Sequence, residues 1–146
     1  QGQGVAADEA ESVKWYQKAA DQGHAGAQRV MGVRYVKGEM GVEKDIKKGL
    51  KLLKKSANND NVKAQFALGS FYYTGEAGVE IDKSEAAKWW TMAADQDNVD
   101  AQFNLGIMYH NGEGVKENQA KSKLWLQKAA NQGHQNAAKF LNKFFN

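Results

Sequence analysis

The residues of this 146-residue chain with the right types for chemistry are three histidines, a set of Gly-Glu loops and a run of lysines. His24 and His134 fall in turns and His110 at the end of a helical segment, so no two have the spacing of a metal site, and turn and surface roles are expected of them. The loops Gly38-Glu-Met-Gly41, Gly75-Glu-Ala-Gly78 and Gly112-Glu-Gly114 have the glycines of a phosphate cradle. They lack the Lys-Ser or Lys-Thr that would follow it and the strand that would precede it, so turn chemistry explains them. The absence of cysteine excludes disulfides, thiolate metal sites and cysteine nucleophiles. No cofactor is implied.

The lysines are concentrated. Lys44, Lys47, Lys48, Lys51, Lys54 and Lys55 stand against Asp45 alone, a local balance of +5 in a chain whose net charge is +3. Such a face is either solvated or docks on an acidic protein or membrane surface. Nucleic acid is not expected, because the basic set does not extend along the chain.

These residues are positioned by an internal repeat. Ala27 to Gly32 (AQRVMG), Ala64 to Gly69 (AQFALG) and Ala101 to Gly106 (AQFNLG) begin 37 residues apart, with a weaker copy at Ala137, 36 residues on. Val5, Val42, Val79 and Val115 follow the same steps, as do Asp8, Asp45, Asp82 and Asn118, and Trp15, Leu52, Trp89 and Trp125. The shortening falls in the third glycine loop, which marks stacked supersecondary units. Each unit reads as two helices. The first, about 27–36 in the earliest complete copy, stops at a glycine such as Gly38. The second opens at an Asp or Asn N-cap and runs about four turns. Gly32, Gly69 and Gly106 sit inside first helices, where each costs about 1 kcal/mol relative to alanine. Small residues on the second helices, Gly49 and Ser56 or Ser122 and Ala129, point to close helix approach, with the aromatics at 15, 89 and 125 filling the space between pairs.

The succession A-x-x-x-L-G-x-x-Y, G-x-G-V, D, W-x-x-K-A-A-x-x-G resembles the Sel-1-like repeat, a relative of the tetratricopeptide repeat. Ala101, Leu105, Gly106, Tyr109, Gly112, Gly114, Val115, Trp125, Lys128, Ala129, Ala130 and Gly133 carry it in one copy. Departures are Leu52, Ser56 and Asn142. The resemblance implies an all-α, right-handed superhelical solenoid of antiparallel helix pairs, about three and a half repeats long. It divides the chain into a second helix of a truncated repeat (1–23), full repeats (24–60, 61–97, 98–133) and a closing first helix (134–146). The start at Gly2-Gln3-Gly4-Val5 would be the loop after a missing first helix, leaving Val13, Trp15 and Tyr16 as an apolar end able to associate end to end.

The resemblance also implies function: a non-enzymatic scaffold for a protein or peptide partner, in a bacterial exported, periplasmic or signalling setting. In tetratricopeptide-like stacks the first helices line a concave groove, and three register positions face it. Here they are Arg29, Phe66, Phe103 and Lys139; Val33, Ser70, Ile107 and Lys143; and Val36, Tyr73, His110 and Asn146. Phe66 and Phe103 equally fit packing between neighbouring first helices. Some members are discussed as β-lactamase-like, but none of Ser12, Ser56, Ser70, Ser84 or Ser122 has a lysine three residues on, which disfavours a hydrolase. No window is apolar enough to span a membrane.

Overall fold

The computed structural model describes residues 2–146, with backbone alone at 2, 3 and 5; the Val5 side chain therefore lies outside the described residues. The described residues form eight α-helices: α1 (Gly2–Asp21), α2 (Ala25–Lys37), α3 (Ile46–Asn58), α4 (Val62–Thr74), α5 (Lys83–Asp95), α6 (Val99–Asn111), α7 (Gln119–Asn131) and α8 (Gln135–Phe144). A single 3₁₀ turn, Glu76–Gly78, follows α4, and no strand occurs among the described residues. Each helix packs chiefly on its chain neighbours, most heavily within α2/α3, α4/α5 and α6/α7, so the core runs along the stack as a helical solenoid.

Local chemistry sets every internal boundary. The Asp45, Asp82 and Asn118 side chains accept the N–H groups of Lys48, Glu85 and Lys121, each at 2.9 Å. Their own N–H groups donate to the carbonyls of Tyr35, Tyr72 and Tyr109 at 2.8, 2.9 and 2.9 Å, tying each loop to the helix before it. First helices end on left-handed Gly38, Gly75 and Gly112. The longer loops contain a further left-handed non-glycine residue, Met40 or Ala77, with φ of 55° and 60°; the third loop omits it.

The helical glycines are contact points. A Cβ on Gly32 would lie 2.7 Å from Leu53 Cγ, and one on Gly106 would lie 2.5 Å from Leu126 Cγ. On Gly69 it would fall inside the Trp90 indole. Ser122 Oγ donates to Gly106 O at 2.7 Å across the same close interface.

Two expectations need correction. Asp8 is not an N-cap, and residues 2–7 are not a loop: α1 continues through both. The internal loops are anchored by a tyrosine carbonyl and by buried Val42 or Val79, and among the described residues no helix supplies those anchors to residues 2–7, where the helix propagates instead. Trp89 is buried against Val36, Phe71 and Val79 and Trp125 packs on the next core cluster, but Trp15 is 65% exposed. Among the described residues no first helix precedes it, and it borders an open depression with Tyr16, His24 and Arg29.

Candidate functional site

The histidines resolve first. His24 and His134 cap α2 and α8, their Nδ1 atoms accepting the N–H of Ala27 at 3.2 Å and of Ala137 at 3.1 Å. Asn61 and Asn98 do the same for α4 and α6 at 2.9 Å. Among the described residues no cluster of three or more His, Asp or Glu is placed to hold a metal ion.

On the first-helix face, Tyr73, Phe103 and Ile107 come together with Trp90 and Asn104 around a recess of about 140 Å³ between α4, α5 and α6. Trp90 forms its floor. The indole is buried, lies 5.1 Å from the Tyr73 ring and 6.2 Å from the Phe66 ring, and donates from Nε1 to Phe66 O at 3.2 Å. Phe103 stacks on His134 at 4.4 Å, so both phenylalanines pack on neighbouring elements while Phe103 also lines the recess. Asn104 is half-buried in its lining, and its carboxamide makes no hydrogen bond among the described residues.

Tyr73 is held from the next repeat. Its hydroxyl donates to Glu113 Oε2 at 2.9 Å, and Lys83 Nζ reaches the same oxygen at 2.8 Å. Burial, followed by the Glu113 hydrogen bond, holds the Tyr73 hydroxyl above its ordinary pKa. Hydrogen bonds from Lys83 and then Tyr73 hold the Glu113 carboxyl below the usual carboxylate value. The same hydrogen bond raises Lys83. Lys37 and Glu76, paired at 2.9 Å, link the preceding loops, and that contact raises Lys37.

Other expected groove residues lie elsewhere. Val36 is fully buried, not groove-facing: Gly49 has no side chain opposite it, so the short valine tucks between α2 and α3. Val33 is half-buried against the same cluster. Arg29 joins Trp15 and Tyr16 rather than the recess. Ser70 turns its hydroxyl back to Phe66 O at 3.0 Å. His110 packs with Phe140 and Phe144, ring centroids 5.0 Å away, and contacts Gln119 Oε1 at 2.8 Å. Lys139, Lys143 and Asn146 are exposed on or beyond α8. On α3 and the loop before it Lys44, Lys47, Lys48, Lys51 and Lys55 are exposed and Lys54 half-buried.

Sequence reasoning missed Trp90, although a signal existed: the register places it with Tyr16, Leu53 and Leu126, so among the three full repeats the enlarged copy stands opposite Gly69.

The repeat and its helical fold recur in known proteins. The Sel1 repeat family matches residues 1–24, 25–61, 62–98 and 99–134. The chain belongs to the Sel1 repeat family. It is similar to a protective antigen of uropathogenic Escherichia coli strains with an SLR fold, at 37% identity and a TM-score of 0.79 over 88% of this chain. A Sel1 repeat protein of Oxalobacter formigenes shares 34% identity and a TM-score of 0.81 over 92%. The chain spans 27% and 39% of the lengths of those two proteins. Helicobacter pylori cysteine rich protein B, 22% identical with a TM-score of 0.69, shares the fold. No curated protein matches the chain. Sel1 repeats are generally protein–protein interaction modules, and no helix here is long and apolar enough to cross a membrane.

Proposed function

We propose that this Sel1 array is a non-enzymatic interaction scaffold that takes a segment of a partner protein along its first-helix face. The observation that carries this reading is the recess of Tyr73, Trp90, Phe103, Asn104 and Ile107, an apolar pocket with one unbonded carboxamide in its lining. Its volume suits a single apolar side chain. Asn104 can both donate to and accept from the backbone beside that side chain. Aromatic residues held in fixed positions lose little entropy on binding, and the Glu113 and Phe66 hydrogen bonds hold Tyr73 and Trp90 in this way. Lys139 and Lys143, exposed beyond the recess, favour acidic residues in the flanking segment.

A photo-crosslinking residue at position 104 tests this in lysate of the source organism. It should trap a defined partner peptide carrying an apolar residue, and Ile107→Glu should abolish the product. Equal crosslinking in the Ile107→Glu protein, with its helical spectrum intact, contradicts the reading.

A further inference from the structure

The outer face of α3 is built against its own interest. The helix carries five lysines and no carboxylate, and Lys47 and Lys48 sit in its first turn, where the helix dipole favours anions. Lys47, Lys51 and Lys55 follow one another at four-residue spacing, an arrangement of like charges that disfavours the helix. Among the described residues the lysine ion pairs are Lys37–Glu76 and Lys83–Glu113, and neither involves α3. Lys47, Lys51, Lys54 and Lys55 border an open depression of about 460 Å³ whose apolar floor includes Leu50 and Tyr72. Lys54 lies over the Tyr72 ring at 5.4 Å. Lys48 turns the other way, onto Tyr35, with Nζ 2.9 Å from the hydroxyl.

We infer that this depression is a second docking site, for an acidic amphipathic helix of a partner protein. Among the described residues no carboxylate pairs with these lysines, so the complement comes from outside. Lys47 to Lys55 spans about 12 Å along the α3 axis at ~1.5 Å per residue, which matches carboxylates four residues apart on a helix laid alongside. The recessed apolar floor selects a protein ridge with one projecting leucine or phenylalanine over a flat lipid surface. The site is built mainly on a second helix, α3, with Tyr72 of α4 in its floor, and shares no lining residue with the first-helix recess.

The probe is a fluorescent synthetic helix with three glutamates at four-residue spacing and one leucine on the same face. Anisotropy titration should show saturable binding that weakens with salt. Lys51→Glu/Lys54→Glu should reduce affinity at least about tenfold, while its melting temperature stays level or rises because repulsion along α3 is relieved. Replacing the probe leucine with serine should also weaken binding. The inference is overturned by no binding, by full affinity in the double variant, or by equal binding of the leucine-free probe. Tighter association with phosphatidylglycerol vesicles than with the helix would assign the face to a membrane and equally overturn it.

Discussion

Asn59→Gln should stabilise the protein through one buried oxygen. Gln28, Gln65 and Gln102 occupy the same repeat position and donate from Nε2 to the carbonyls of Ala20, Ala57 and Ala94 at 3.3, 3.0 and 3.1 Å. Gln96 Nε2 then donates to Gln65 Oε1, and Gln132 Nε2 to Gln102 Oε1, each at 2.8 Å, forming a rung between the first helix and the end of the second helix of each repeat. Gln28 Oε1 is buried without a partner. The residue in register with Gln96 and Gln132 is Asn59, one methylene shorter on a similar backbone: φ and ψ are −94° and 33° at Asn59 against −97° and 25° at Gln96. Satisfying a buried acceptor recovers about 1–3 kcal/mol, and ordering a longer exposed side chain returns up to about 1.5–2 kcal/mol. The net is a gain of about 1 kcal/mol, or a melting temperature higher by roughly 2–4 °C. Denaturant unfolding followed by circular dichroism, with hydrogen exchange across α2 and α3, measures it. Gln96→Asn should lose a similar amount, and the Asn59→Gln gain should vanish in a Gln28→Met background. A neutral Asn59→Gln together with a harmless Gln96→Asn would refute the rung as a stabilising contact.

Gly106→Leu should overpack α6 against Leu126 and cost about 1–3 kcal/mol despite better helix propensity; an unchanged melting temperature would contradict the close-approach role. His24→Ala should lose about 1 kcal/mol with the α2 cap, whereas His24→Asn should hold stability, as Asn61 and Asn98 already cap in its place. The Tyr73–Glu113 link has a defined pH window. Glu113 is lowered in the fold, so its contribution is complete above the ordinary carboxylate range and fades as pH falls through the depressed value; Tyr73 is raised, so its contribution fades only as pH rises through the elevated value. Tyr73 ring resonances should therefore be level through the neutral range and shift only as pH falls below the ordinary carboxylate value, and Glu113→Gln should remove the acid step.

The repeat period, the second-helix caps, the glycine stops and the glycine contacts were legible because each is a local rule applied in register. Trp90 and the first-helix caps at positions 24, 61, 98 and 134 obey the same register but mix residue types: Leu with Trp, and His with Asn. Val36 was misplaced because a position that faces outward as Tyr73 or His110 turns inward where Gly49 leaves room. The Asp8 cap failed for a related reason, since its loop geometry depends on a tyrosine-bearing helix before it. Side-chain size across an interface, not periodicity, decided these sites.

Calorimetric titration of the crosslinked partner segment reads binding at the first-helix recess. Tyr73→Ala/Ile107→Ala should weaken binding by about 2 kcal/mol or more, roughly thirtyfold, with an unchanged helical spectrum, while Lys47→Glu/Lys51→Glu changes it far less. Full affinity in the recess variant, with loss on reversing the two lysines, would move the binding site from the recess to the outer face of α3.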